Sequence, residues 1–215
     1  MLSNEECLQT IEIMGESFPD AHSSLVADTD FHFLLAVIMS AQTTDKAVNM
    51  LTPKLFETYR TPHELAEADV TVVMAMIRTI GLYRNKAKYL VACAQKIVAD
   101  FAGVVPQSRK ELMSLPGVGR KTADVVLAEC FGIPAIAVDT HVTRVSKRLR
   151  MVAQDADVLK IERTLMKKLP ESVWIVAHFR MIYWGRYQCM ARSPKCETCP
   201  LLEMCAEGKE RVRTN

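Results

Sequence analysis

The sequence predicts an all-α fold of two helical lobes, and three observations carry that reading. Apolar residues recur at helical spacing through most of the chain, start and stop signals bracket the periodic segments, and strand-like alternation is nearly absent. With 215 residues, 49% of them apolar and 24% charged, the chain has ample material for a packed core. It lies well away from disordered or low-complexity compositions. The longest wholly apolar run, Phe33 to Met39, falls far short of the roughly 20 residues of a membrane span, so no transmembrane helix is expected.

The elements follow in order. Ser3-x-x-Glu6 reads as a capping box opening the first helix. Pro53 interrupts a helical stretch and implies a kink or a restart at Thr52. Thr61-Pro62-x-Glu64 puts proline at a first helical position. In Asn85–Ala102 the residues Ala87, Leu90, Val91, Ala94, Ile97, Val98 and Phe101 fall on one face. Gly81, Gly103 and Gly132 each follow a periodic segment, where a left-handed residue ends a helix without a Cβ penalty. Ser108-x-x-Glu111 reads as a further capping box. Ala123, Val126, Leu127 and Cys130 form the next stripe. The segment from Ile133 to Val138 is apolar but short and broken by Pro134, so it reads as a buried crossover between lobes. Val158, Ile161, Leu165 and Leu169 mark another helix, and Trp174, Ala177, His178, Met181 and Ile182 the last long one. The count is about ten helices. The lobe boundaries are residues 22–132 for one lobe and 1–21 with 133–215 for the other.

Charge is segregated rather than abundant. The formal net charge is only +2, yet residues 1–65 carry a balance of −7 and the remainder +9. That gradient fits either a solvated surface or a polyanionic partner. The N-terminus has acids where a signal peptide would carry basic residues, so a cytoplasmic protein is expected. Seven cysteines without a secretion signal argue against a disulfide framework.

Two local patterns carry chemistry. In Leu115-Pro116-Gly117-Val118-Gly119 a tight turn joins two helices. Gly117 and Gly119 let an anion approach the backbone N–H groups, Val118 can plug the turn, and the second helix presents its positive end. Residues 109–150 add eight Lys/Arg against four Asp/Glu, Arg120 and Lys121 among them, so a phosphate backbone would be met here. The second pattern is Cys189-x6-Cys196-x2-Cys199-x5-Cys205, punctuated by Pro194 and Pro200. Four soft ligands in an irregular loop mean a metal site, with spacing that suits either zinc or an iron–sulfur cluster. The loop residues Arg192 and Lys195 add cations, so it reads either as a basic loop folded onto the phosphates of a polyanionic partner or as a structural clamp alone.

Leu115 to Ala123, followed by Val138-Asp139-Thr140-His141-Val142, resembles the helix-hairpin-helix and Gly/Pro-Asp signature of the base-excision DNA glycosylases. Ser40-Ala41-Gln42-Thr43-Thr44-Asp45, Gly81-Leu82-Tyr83 and the cysteine spacing are similar to the endonuclease III family within that superfamily. The likeness runs from about residue 20 to residue 205. It implies a DNA-binding groove between the lobes, and a bifunctional glycosylase and abasic-site lyase that removes oxidised pyrimidines from duplex DNA.

The resemblance also assigns roles. Lys121 becomes the nucleophile that attacks C1′ and forms a Schiff base. Only the neutral amine attacks, and the helix N-terminus, Arg120 and partial desolvation are expected to favour it. Asp139 is read as stabilising positive charge on the sugar and assisting proton transfers, with a helix N-cap as its structural alternative. Gln42 and Leu82 fill the gap left by an extruded nucleotide. His141 and Arg144 become phosphate contacts. Cys189, Cys196, Cys199 and Cys205 hold a [4Fe–4S] cluster. Asp124 departs from the Asn usual in the family and leaves the local hydrogen bonding open. The expected partner is duplex DNA with damaged bases or abasic sites, bound by a monomer without a membrane. The rival readings are a non-catalytic helix-hairpin-helix DNA binder and a glycosylase for another lesion class.

Overall fold

The computed structural model describes residues 1–214. The described residues contain thirteen α-helices, two short 3-10 turns and no strand, so the all-α expectation is borne out. The chain divides into two compact units, one from Ser24 to Ile133 and one joining Met1–Ser23 to the chain from Pro134 onward.

The first unit holds α2 (Asp30–Ser40), α3 (Asp45–Asn49), α4 (Thr52–Thr58), α5 (Pro62–Ala66), α6 (Val70–Met76), α7 (Tyr83–Phe101), α8 (Arg109–Leu112) and α9 (Arg120–Phe131). The run Phe33–Met39 makes α2 apolar on every side, and all seven of its residues are buried. A helix of that kind belongs at the centre, and α2 packs against α7 and α9. The expected stripe on α7 is buried from Ala87 to Ile97, and the helix begins two residues earlier than predicted. Pro53 sits in the first turn of α4, which restarts at Thr52. The Thr61–Glu64 capping box forms in full.

The second unit contains α1 (Asn4–Ser17), α10 (Thr140–Arg148), α11 (Val158–Lys168), α12 (Trp174–Tyr187) and α13 (Ala206–Thr214). The capping box at Ser3 and Glu6 opens α1. Its core gathers Ile11 and Met14 with Val142, Val145, Ile161, Leu165, Met181 and Trp184. Phe18 closes one end, edge-on to Trp184. Ala135 to Val138 are buried without regular structure, as expected of a crossover.

Three readings of the sequence are corrected and one holds. Gly81 is not the left-handed stop; Leu82 takes that conformation, with φ 59°. Gly103 is left-handed as expected, with φ 79°, and Ala102 before it takes the same conformation at φ 50°. Glu111 does not close a reciprocal box, because its carboxylate accepts from the Ser108 hydroxyl at 2.6 Å while Ser108 caps the Glu111 N–H. Val158 is exposed, so the buried stripe of α11 starts at Ile161. The helices α3, α5 and α8 are single turns of four or five residues, too short to show a period; α5 and α8 announce themselves only by their start signals, and α3 was not expected.

Candidate functional site

The hairpin is α8, a tight turn and α9. Gly117 has φ +80°, and a Cβ placed there would lie 2.9 Å from the Tyr89 Cβ and 3.3 Å from Ile38, so only glycine fits. Val118 is buried as the plug of the turn, and its N–H closes onto the Leu115 carbonyl at 3.1 Å. Gly119 caps α9 in an extended conformation with open space where a side chain would stand. Arg120 and Lys121 are the first two residues of α9, at its positive end, with no acid in the first turn. Lys121 is exposed, so the desolvation expected of it is not supplied by the surrounding protein.

Asp124 is almost completely buried, and its Oδ1 accepts from the Arg109 Nε at 2.5 Å. The pair ties α8 to α9 behind the turn. The acid therefore has a charged partner on the other helix of the hairpin, and Arg109 is committed to it rather than to solvent.

Two loop tips carry the candidate gap fillers. Gln42 has φ 54° and Leu82 φ 59°; both are exposed, Leu82 by 54%. A left-handed backbone costs a non-glycine residue roughly 1–2 kcal/mol. An apolar side chain left in water on such a backbone is poor design for a folded core and suits a group that must protrude. A Cβ on Gly81 would come within 3.9 Å of the Gln42 carbonyl oxygen, so the tips are neighbours.

Asp139 is the N-cap of α10. Its Oδ1 accepts from the N–H groups of His141 and Val142, both at 2.8 Å. Both bonds fall on one oxygen, which leaves Oδ2 outside the cap. His141 is half-buried, and burial pushes its pKa below the usual imidazole value. Arg144 differs from the expectation of a phosphate contact. Its guanidinium donates to the carbonyls of Gly185 at 2.7 Å and Cys189 at 3.0 Å, and approaches His141 Nδ1 at 3.1 Å. It is spent on anchoring α10 to the end of α12, because carbonyls left unpaired at a helix end need donors.

One turn on, Arg148 reaches the cysteine loop. It donates to the carbonyls of Met190 and Ala191, contacts the Cys189 sulfur at 3.4 Å and pairs with Glu207 at 3.0 Å. The sequence reading missed this arginine; its signal was the four-residue step from Arg144, which puts both on one helix face.

Cys189, Cys196, Cys199 and Cys205 line a single recess, together with Arg148, Trp184 and Pro194. Among the described residues no three His, Cys, Asp or Glu side chains form a group that could hold one metal ion. Four thiols around one recess are a donor set that an iron–sulfur cluster can take. The Gly208 N–H at 3.2 Å from the Cys205 sulfur and the Arg148 guanidinium at Cys189 are the kind of donors that thiolate ligands need. Arg192 and Lys195 lie exposed on the loop.

A helix-hairpin-helix with an anion-receptive turn, followed by an Asp-capped helix and a cysteine loop, defines a class. The model of the HhH-GPD superfamily of base excision DNA repair proteins matches residues 35–171, and that of the iron–sulfur binding domain of endonuclease III matches residues 189–205. The endonuclease III of Bacillus subtilis is 48% identical over 207 residues, covering 96% of this chain and 93% of its own length. That of Synechocystis sp. is 43% identical over 206 residues, covering 95% and 94%. A solved structure of a trapped endonuclease III–DNA covalent intermediate matches with a TM-score of 0.95 at 50% identity, over 99% of this chain and all of that one. The chain belongs to the endonuclease III family. Its activity is that of a bifunctional base-excision DNA glycosylase and abasic-site lyase, and its cofactor is a [4Fe–4S] cluster.

Proposed function

We propose that this chain removes oxidised pyrimidines from duplex DNA and then cleaves the strand, with Lys121 as nucleophile. The observation that carries the assignment is the position of Lys121, exposed at the start of α9 immediately after the turn that receives phosphate. The phosphate fixes the strand on the backbone N–H groups of the turn, and the adjacent amine meets the sugar.

The Lys121 nitrogen bonds to C1′ while the bond from C1′ to the base breaks, and the base leaves with the electron pair and takes up a proton. Ring opening gives an iminium. Loss of a C2′ proton then expels the 3′ phosphate by β-elimination. Docked DNA supplies the exclusion of water that the protein alone does not supply at Lys121. Asp139, held by the cap through Oδ1, keeps a second oxygen to stabilise the charge on the sugar and to pass protons. Gln42 and Leu82 enter the stack as the nucleotide leaves it. Gly117, Val118, Gly119 and Arg120 form the phosphate cradle, and Arg192 and Lys195 add a second contact to the backbone.

Cys189, Cys196, Cys199 and Cys205 hold the cluster, which, when bound, crosslinks four points of an otherwise irregular loop. The lobe carrying the hairpin comprises residues 22–132 and the lobe carrying the cluster 1–21 with 133–215. The protein acts as a monomer in the cytoplasm; no helix among the described residues is long and apolar enough to cross a membrane.

The test is product analysis on duplexes carrying one oxidised pyrimidine, one alkylated base or one mispaired base. Base release with a β-elimination end from the oxidised pyrimidine is expected. Release confined to the alkylated or mispaired substrate would overturn the lesion assignment.

A further inference from the structure

Lys86 is 3% exposed and carries its ammonium into the first unit. Its Nζ donates to the Thr43 hydroxyl at 2.7 Å. Thr43 follows Gln42, and Lys86 lies four residues beyond Leu82, its N–H closing onto the Leu82 carbonyl at 3.0 Å. One side chain thus joins the loop that carries the first tip to the helix turn that carries the second. The same helix continues to Tyr89, which touches Gly117 of the hairpin. Leu82 is the N-cap of α7, and Lys86 and Tyr89 follow on one face of that helix.

We propose that Lys86 is a positioning residue that locks the Gln42 and Leu82 tips into one rigid wedge, so that both enter the duplex together. The proposal rests on the gap-filling reading of those tips. Both left-handed backbones are costly on their own, and a strained loop keeps its shape only when the surroundings over-determine it. The Gln42 loop is spanned by few other ties; Thr43 closes its own turn onto Ser40 at 3.0 Å. A hydrophobic residue at position 86 would fill the core at lower cost, since burial alone pulls the pKa of Lys86 down and marks an ammonium held out of water. The lysine is therefore poorly explained by stability and well explained by the hydroxyl it reaches.

The test uses the cluster-loaded protein and four variants, Lys86→Met, Thr43→Val, the double variant and Leu82→Ala. Each is assayed by single-turnover cleavage of two substrates: an abasic site in a duplex opposite a normal base, where an orphan base must be accommodated, and the same abasic strand without its complement, where no gap exists. Lys86→Met and Thr43→Val are each expected to slow the duplex reaction about tenfold, the double variant being no slower than the worse single, as for residues acting through one contact. Both should match the parent on the single strand, and Lys86→Met should melt no lower than the parent.

Parent-like duplex rates for both single variants, with Leu82→Ala slow, would overturn the role of Lys86 and leave the wedge standing. Parent-like rates for Leu82→Ala as well would overturn the wedge itself. Equal losses on both substrates would mean general damage and overturn the positioning role. If Lys86→Met does not fold, Thr43→Val, which keeps the lysine, decides by the same criteria.

Discussion

Replacing Asp139 by Asn separates its two roles. The cap consists of two hydrogen bonds of 2.8 Å on Oδ1, and an amide oxygen can accept both. Asn and Asp are equivalent N-caps, so the substitution forfeits only the interaction of charge with the helix end, about 0.3–1 kcal/mol. For a chain of this size that corresponds to a fall in melting temperature of at most about 4 °C. Asp139→Ala loses the cap as well, about 1–2 kcal/mol in all. If the carboxylate stabilises the sugar cation and relays protons, both variants should lose base-release rate by about 10²–10⁴-fold. Thermal denaturation and single-turnover base release, measured on the same preparations, give both quantities. A full rate in Asp139→Asn would exclude the catalytic role, because the cap alone would then explain the residue.

Other consequences are as specific. Gly117→Ala puts a Cβ 2.9 Å from Tyr89 on a left-handed backbone, and should cost about 2–4 kcal/mol in denaturant unfolding. Gly119→Ala meets open space; it should cost under about 1 kcal/mol in stability but weaken duplex binding about tenfold, the worth of one charge-assisted hydrogen bond. Charge reversal of Arg192 and Lys195 should flatten the salt dependence of binding by roughly 0.9 per phosphate contact, iron content unchanged; an unaltered slope would leave the loop a structural clamp alone. Burial holds the His141 pKa below 6.5. The unfolded chain therefore takes up its proton first as pH falls, and stability should be complete above about pH 6.5 and decline below it. His141→Gln should remove that part of the pH dependence of unfolding.

The legible and illegible parts of the molecule divide along physical lines. Long helices announced themselves through period, as in α7 and α12, because a buried stripe constrains every third or fourth residue. Glycine punctuation was less faithful. Gly132 is left-handed as expected, yet at residues 81 and 82 the strain falls on Leu82, since a side chain needed at a protruding tip can override the backbone preference. Likewise the spacing of the four cysteines declared a metal site but not its kind, which the match to the iron–sulfur binding domain of endonuclease III decides. Arg144 read as a phosphate contact; only the carbonyls at Gly185 and Cys189, distant in sequence, turn it inward. Lys86 and Asp124 had a detectable signal, a charge set within an apolar stripe, but their partners Thr43 and Arg109 lie on other elements.

The central claim is that the Lys121 amine bonds to the sugar. Borohydride reduction of the protein with a duplex carrying one abasic site tests it most directly. A covalent complex whose modified residue is Lys121 is expected, absent from Lys121→Ala that still folds and holds its iron. A trapped complex that persists in that variant, or none from a folded, DNA-binding parent, would contradict it.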